Sequence, residues 1–227
     1  MQIDPSQFTP VRYRGEPSKQ ATAESGESQV AKDSVEISSE SREQRLDRFW
    51  SVITKHAAEK VAGDIAGLPA HTLMFHGTSV KFDATEARPN RRTSQGKVDW
   101  EGTAIFAAMD PRVALHYTAD VGTGIGTGID LRSRTEADEP ITYFLDGGAS
   151  QEDALNKTYG KPDDPESCTG FIHTLDKSKF VHEQGLGVME MITRDESANI
   201  GPVTINRRAA LDELVSQGAV VIHWSPS

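Results

Sequence analysis

Apolar side chains recur along the chain in two patterns, one typical of amphipathic helices and one typical of short buried strands. Between residues 41 and 62 they fall three or four residues apart, with charged side chains between them, which predicts a helix that docks on a core. Gly63 is expected to end this helix. Its apolar positions are Leu46, Phe49, Trp50, Ile53, Ala57 and Val61.

Cap signals and short apolar runs divide most of the remaining chain into further elements. Asp110 followed by Pro111 predicts a helix start, and Asn206 predicts the start of a helix over residues 207–217 that Gly218 ends. An insertion with a short helix is expected between two of the strands, over residues 147–168. The mixture of elements predicts an α+β fold. The runs that predict strands lie at residues 73–75, 105–106, 141–145, 170–175, 187–193 and 219–222.

Two stretches are predicted to be loops. Residues 80–101 are polar and include Arg91 and Arg92, so they form either a solvated loop or a loop that contacts phosphates above a cleft. Four glycines alternate with other residues from Gly122 to Gly128, which predicts a flexible loop. Their spacing is not that of a dinucleotide-binding glycine motif, and no strand–turn–helix pattern surrounds them.

The first 42 residues differ from the rest in composition. They are rich in Ser, Glu, Gln and Lys and poor in large apolar side chains, so they cannot bury enough surface to offset the entropy of ordering them. We therefore expect a disordered leader over residues 1–42 and one folded domain over residues 43–227. The leader is either a solubilising tail or an export signal.

Charge and cysteine content narrow the classes of function. The chain carries a formal net charge of −10, which does not favour nucleic acid as a partner. Cys168 is the only cysteine, so there is no disulfide framework and no structural zinc motif. No apolar run is long enough to cross a bilayer, and the N-terminus lacks the pattern of a cleaved secretory signal. We expect a soluble protein that stays in a cytoplasm or leaves without such a signal.

Three segments carry the residues most suggestive of chemistry. The first is a strand that ends in His76-Gly77-Thr78, where a glycine backbone can approach a flat ligand closely. The second runs from Gly102 through Phe106 to a short helix with Tyr117, eleven positions after Phe106. The third is a strand-like run that contains Glu190. Alternatively, His76 merely ends a strand, Tyr117 belongs to the core, and Glu190 is a solvent-facing carboxylate.

These segments, in this order, resemble the NAD-binding half of ADP-ribosyltransferases, in the poly(ADP-ribose) polymerase and diphtheria-toxin branch with its His-Tyr-Glu signature. The resemblance covers about residues 71–193 and implies a split β-sheet core with peripheral helices. It departs from that branch at two positions. Phe106 stands where a tyrosine is usual, and Ala114 stands where the polymerases have a serine that binds the carboxamide.

The resemblance also implies roles for the residues. The backbone of Gly77 and its neighbour Thr78 would bind the carboxamide side of the nicotinamide of NAD. Tyr117 would stack on the nicotinamide ring, and Phe106 would pack on its other side. His76 would bind the adenosine-side ribose. The residue expected to favour the cationic transition state is Glu190, through the nicotinamide ribose. No metal is required, and NAD is consumed as a co-substrate.

The acceptor follows from resemblance alone. No Glu or Gln stands two residues before Glu190, which argues against an arginine acceptor. The Ser- and Gln-rich leader is similar to those of bacterial type III effectors, some of which ADP-ribosylate a threonine of host ubiquitin. The resemblance therefore implies a monomeric effector that acts in the host cytoplasm on a hydroxyl side chain.

Two other functions are compatible with the sequence. Cys168 could serve as the nucleophile of a hydrolase or deamidase, with His173 or His182 as base and Asp176 as the group that orients it. A binding module that keeps the NAD-binding fold without turnover is the other, because Phe106 and Ala114 depart from the signature. An RNA phosphotransferase would require more positive charge than this chain carries.

Overall fold

The computed structural model describes residues 40–57, 65, 67–79, 88–89, 103–120, 122–130, 140–181, 190–193 and 195–226. At residues 88, 89, 103, 104, 190, 192 and 196 the description covers the backbone alone. All of them belong to one unit of the chain, which runs from residue 39 to residue 227. The predicted leader over residues 1–42 therefore lies almost entirely outside the described residues.

The described part is a mixed α+β structure with two sheets and four α-helices, as the sequence predicts. Among these helices none has the length and apolar character that a membrane span requires. The helices are α1 (Arg42–Lys55), α2 (Pro111–His116), α3 (Gln151–Tyr159) and α4 (Arg207–Ser216). The strands are β1 (Leu73–Thr78), β2 (Arg88–Pro89), β3 (Thr103–Ala108), β4 (Gly126–Ile129), β5 (Ile141–Asp146), β6 (Thr169–Asp176), β7 (Glu190–Thr193), β8 (Asn199–Asn206) and β9 (Val220–Ser225).

The larger sheet is antiparallel and has the order β2-β3-β1-β6-β8, with β7 also paired to β3. Strand β1 pairs with β6 along its whole length and with β3 at Phe75 opposite Ala108. Ala108 in turn lies opposite Glu190. One row across the sheet thus connects three segments that are far apart in the chain.

The smaller sheet combines strands β4, β5 and β9. Strand β5 runs parallel to β9 and antiparallel to β4. The glycine-rich stretch expected to be a flexible loop ends in strand β4, so that prediction is wrong for residues 126–128. Gly128 lies opposite Phe144 and Gly126 opposite Asp146, so pairing with β5 determines the conformation there. This pairing is long-range and has no local sequence signal.

Both faces of the larger sheet are covered. Neighbouring residues of β1 alternate between two apolar clusters, as a strand's two-residue period requires. Leu73 and Phe75 belong to a cluster that includes α1, α2 and α4, whereas Met74 belongs to a second one. His76 therefore shares a face with Met74, and Gly77 shares a face with Phe75. The second cluster consists of Met74, Ile105, Ala107, Leu175, Phe180 and Ala198.

Helix α1 begins as predicted but ends earlier. Ser41 and Gln44 form a reciprocal capping box at its start, and its predicted apolar face is buried. The helix stops at Lys55, so its predicted continuation is wrong at residues 56 and 57, and residues 58–62 lie outside the described residues. The reason is tertiary. The His56 carbonyl accepts a hydrogen bond from the Asn206 N–H at 2.8 Å, and Ala57 pairs with Ile205. Strand β8 thus draws the chain out of its helical path.

The remaining cap predictions are confirmed. The Asp110 carboxylate accepts a hydrogen bond from the Arg112 N–H at the start of α2. Asn206 caps α4 in the same way through the Ala209 N–H. Strand β9 is less buried than expected, because it lies at the edge of the smaller sheet and exposes Val221.

Candidate functional site

The end of β1 is the centre of the candidate site. The Nδ1 atom of His76 lies 2.6 Å from the carbonyl oxygen of Phe106. Because a carbonyl only accepts, Nδ1 must carry the proton and donate it, which fixes the tautomer of the ring. Strand β1 pairs with β3 at Phe75 opposite Ala108, and the His76 hydrogen bond adds a side-chain link to β3 one residue further along. The half-buried imidazole is thereby held against β3.

Gly77 is required by helix packing. A Cβ atom at this position would overlap the carbonyl oxygen of Ala114 and would lie 2.6 Å from its carbonyl carbon. The backbone of α2 therefore packs directly on β1, which only a glycine permits. The sequence suggested that this glycine admits a flat ligand, but the group that approaches its Cβ position is the protein's own helix.

Tyr117 follows α2 directly and is 48% exposed. Its N–H donates to the Val113 carbonyl, so it completes the last turn of a helix whose preceding residues are buried. The alternative that Tyr117 belongs to the core is wrong. Because Ala114 lies against Gly77 one turn earlier, the phenol ring is carried by a helix that is anchored on the end of β1.

The other predicted site residues differ in what the structure describes. Thr78 is buried at the end of β1, opposite Phe171. Glu190 begins β7 opposite Ala108, so its Cα lies two strand spacings, roughly 10 Å, from that of Phe75. The side chain of Glu190 lies outside the described part of the structure. The whole of Arg91 and Arg92 also lies outside it, and the loop assigned to them remains a prediction.

A second histidine faces the first one across β1 and β6. His173 is buried directly opposite His76, and the two ring centroids are 6.3 Å apart. From the sequence, His173 was proposed only as the base that would act with Cys168. Its register beside His76 could not be read from the chain, because the two residues are almost a hundred positions apart.

A network of buried polar side chains packs against α2, and its members have no common pattern in the chain. Arg112 forms an ion pair with Asp110 at 2.7 Å, and its guanidinium lies 3.9 Å from the ring centre of Phe49. Burial raises the pKa of Tyr143 and of Tyr159, so both keep their hydroxyl protons. The only local signal was Asp110 at the cap. The other contacts join residues that are distant in the chain.

The geometry around Cys168 opposes a cysteine hydrolase with the proposed partners. Cys168 precedes β6, and His173 lies five residues further along the same extended chain, which separates them by about 16 Å. Asp176 is further still. Burial raises the pKa of the Cys168 thiol, whose sulfur donates to the Lys161 carbonyl at 3.0 Å. A nucleophilic cysteine requires the opposite shift and a nearby base. His182 lies outside the described residues.

Within the described residues, no group of three or more His, Cys, Asp or Glu side chains is arranged to hold a metal ion. The candidate groups lie on both faces of the sheet: His76 is on the Met74 face of β1, whereas Tyr117 is carried by the helix that packs on the Gly77 face. Glu190 begins strand β7, which pairs with β3. In comparisons with family models, curated proteins and solved structures, nothing matched this chain.

Proposed function

We propose that this protein is an NAD-dependent mono-ADP-ribosyltransferase that modifies a hydroxyl side chain of another protein and releases nicotinamide. One observation carries the proposal. The three segments of the His-Tyr-Glu resemblance, which are separate in the chain, meet on the adjacent strands β1, β3 and β7 and on the helix packed against β1. The row Phe75–Ala108–Glu190 connects them.

Two local features support an NAD site at this position. The imidazole of His76 is held by the carbonyl of the half-buried Phe106, so two residues of the proposed site are neighbours on β1 and β3. Tyr117 exposes an aromatic ring on the helix that packs on Gly77 through Ala114. A planar cationic nicotinamide ring is a suitable partner for such a ring, through stacking and cation–π attraction.

In the proposed reaction, the bond between the nicotinamide nitrogen and ribose C1′ breaks, and a new bond forms between C1′ and the acceptor oxygen. The acceptor hydroxyl loses its proton, and neutral nicotinamide leaves with the bonding electron pair. The ribose carries positive charge in the transition state. Glu190 would stabilise that charge, as carboxylates do in glycoside cleavage. His76 would bind the adenosine ribose and fix the orientation of the cofactor.

The acceptor belongs to the same proposal. Val188 stands two residues before Glu190, at the position where arginine-modifying enzymes carry a second Glu or Gln. From the resemblance we propose a hydroxyl acceptor, and a threonine of host ubiquitin is the first to test. We further propose that residues 1–42 direct export into a host cell without a cleaved signal, and that the enzyme acts there as a monomer.

The test uses NAD labelled on its adenylate half, together with purified ubiquitin and host lysate. We expect wild type to label a protein band and Glu190→Gln to lose at least about 100-fold in rate, because one preorganised electrostatic group is worth about that much. Tyr117→Ala should mainly raise the KM for NAD, because it removes the ring on which nicotinamide would stack. Mass spectrometry of the labelled band identifies the acceptor residue.

Cys168→Ala is the matched control, because its thiol is buried and bonds to the Lys161 carbonyl without a role in the proposed reaction, and it should retain labelling. If labelling were lost with Cys168→Ala but kept with Glu190→Gln, the transferase proposal would be wrong. If wild type bound NAD but labelled nothing, the chain would be a binding module instead.

A further inference from the structure

His116 is buried and directly precedes the exposed Tyr117, and its ring contacts three tyrosines. It is 4% exposed and is the last residue of α2. Its ring meets that of Tyr117 edge-on, with centroids 5.4 Å apart and planes at 70°. It meets Tyr143 in a similar way at 4.9 Å. The hydroxyl of Tyr159 lies 3.2 Å from its Nδ1 atom.

The tyrosines that contact His116 from the protein interior, Tyr143 and Tyr159, are themselves held in place. The Tyr143 hydroxyl donates to the carbonyl of Arg112, and the guanidinium of Arg112 donates to the Ala219 carbonyl at 2.9 Å. The rings of Tyr143 and Tyr159 are nearly parallel, with centroids 6.3 Å apart. These side chains are buried, so few rotamers are open to them. The imidazole of His116 is therefore a rigid neighbour of the half-exposed Tyr117 ring.

An exposed aromatic ring loses rotamer freedom when a ligand stacks on it, and that loss weakens binding. A rigid neighbour that already restricts the ring reduces the loss. The edge-on contact has the geometry in which one ring attracts another, so it favours a single orientation of the phenol.

We propose that His116 is a positioning residue, whose buried ring edge holds Tyr117 in the orientation in which nicotinamide stacks. This inference rests on the proposed function and adds a residue to its site. His116 does not touch the ligand and acts only through Tyr117. The Tyr159 hydroxyl and the Tyr143 ring fix His116 in turn.

Two substitutions separate the ring edge from the hydrogen bond. His116→Gln keeps an oxygen that can accept from the Tyr159 hydroxyl but removes the ring. His116→Phe keeps a ring edge but leaves that buried hydroxyl without its partner. We expect His116→Gln to bind NAD roughly 2- to 10-fold more weakly with little change in melting temperature. We expect His116→Phe to keep the affinity for NAD but to melt about 2–8 °C lower.

The measurements are the Kd for NAD by titration calorimetry and the Tm of each variant, with the same titrations repeated in a Tyr117→Leu background. If His116 acts through Tyr117, the effect of His116→Gln on Kd disappears in that background. The inference is wrong if both His116 variants bind NAD like wild type. It is also wrong if their affinities fall in step with their Tm, or if the Gln effect persists without Tyr117.

The two proposals fail in different ways. If wild type does not bind NAD, the proposed function fails and this inference fails with it. If wild type binds NAD and His116→Gln binds it equally well, only the inference fails.

Discussion

Gly77 lies where the backbone of α2 comes closest to β1, and no side chain fits between them. A Cβ atom there would be 3.1 Å from the Cα of Ala114 and nearer still to its carbonyl group. The obstacle is backbone, so it cannot turn aside as the end of a flexible side chain can. The contact also determines how far Tyr117 lies from the end of β1.

Gly77→Ala is therefore expected to destabilise the protein by about 3 kcal/mol or more, because overpacking against backbone requires α2 to move. Urea denaturation measures the loss. Gly128→Ala is the matched control in a strand, since its Cβ would meet the Phe144 Cβ at an ordinary 3.7 Å. That variant should stay within about 1 kcal/mol of wild type. Equal effects of the two substitutions would contradict the packing role of Gly77.

The importance of a single residue could be predicted from the sequence more easily than the residues that it contacts in the fold. That Gly77 must be a glycine could be predicted from the strand end. The group that requires it could not, because Ala114 is 37 positions away. No local pattern marks His116, since its partners Tyr143 and Tyr159 come from separate elements. Contacts of this kind leave no local pattern.

Helices α1 and α4 are joined at their ends by the carboxylate of Glu213. It accepts from the Lys55 ammonium at 2.9 Å and lies 2.6 Å from His56 Nε2. Lys55 chiefly, and His56 next, lower the pKa of Glu213 from its ordinary 4.5. The same three residues lie where α1 stops, so the ion pair supports the turn that leads the chain toward β8.

The lowered pKa gives this connection a defined pH dependence. A carboxyl whose pKa is lower in the folded state adds stability above its unfolded pKa, and that stability is lost as the pH falls through the folded value. We expect the stability difference between wild type and Glu213→Gln to be full at pH 6 and to shrink as the pH falls below about 4.5. Denaturant titrations across that range measure it.

Lys55→Met serves as the control for the same connection. It should remove the larger part of the pKa shift, and with it most of the pH-dependent difference. A difference that stayed constant from pH 6 to pH 3 would show that Glu213 acts through packing rather than through its charge.

Among the elements, those with local signals were predicted well and those made by pairing were not. The caps at Ser41, Asp110 and Asn206 follow from side chains that bond to their own helix. The end of α1 and the strand at residues 126–129 depend on β8 and β5, which lie far along the chain. Pairing energy overrides local preference in both cases.

The folded unit is held together across long distances by buried charge as well as by its apolar core. Arg207 donates to the carbonyls of Thr118, Tyr159 and Ser167, which belong to three separate segments. Burial lowers the pKa of this guanidinium. Because Thr118 follows Tyr117 directly, Arg207 connects the rear of the candidate site to the insertion after β5.

At the scale of the whole molecule, we expect a chain that begins at residue 39 to be a complete folded unit. It keeps the capping box of α1, in which Ser41 and Gln44 exchange hydrogen bonds of 2.8 and 3.2 Å. It also keeps the pairing of Glu40 with Arg48. Its melting temperature and its labelling activity should match those of the full chain. Calorimetry and the labelled-NAD assay test both.

A substantial fall in either property would show that the first 38 residues contribute to the fold or to the site. If both are kept, export of a fused reporter from a bacterial host with a type III system tests the delivery role separately. Loss of export on removal of these residues, with activity intact, is the expected result.

For the site as a whole, the sequence predicted the order of three segments, and only their resemblance suggested that they meet. Local patterns identified β1, β3 and α2. The pairing of Ala108 with both Phe75 and Glu190 follows from sheet topology, which composition and spacing do not determine.

The buried thiol of Cys168 has a consequence for where this protein can work. As the sole cysteine, it has no partner within the chain, and its burial slows attack by oxidants or other thiols. The covalent structure is thus the same in a reducing compartment and in an oxidising one. Transit between two such environments would require neither an isomerase nor a reductase to restore the fold.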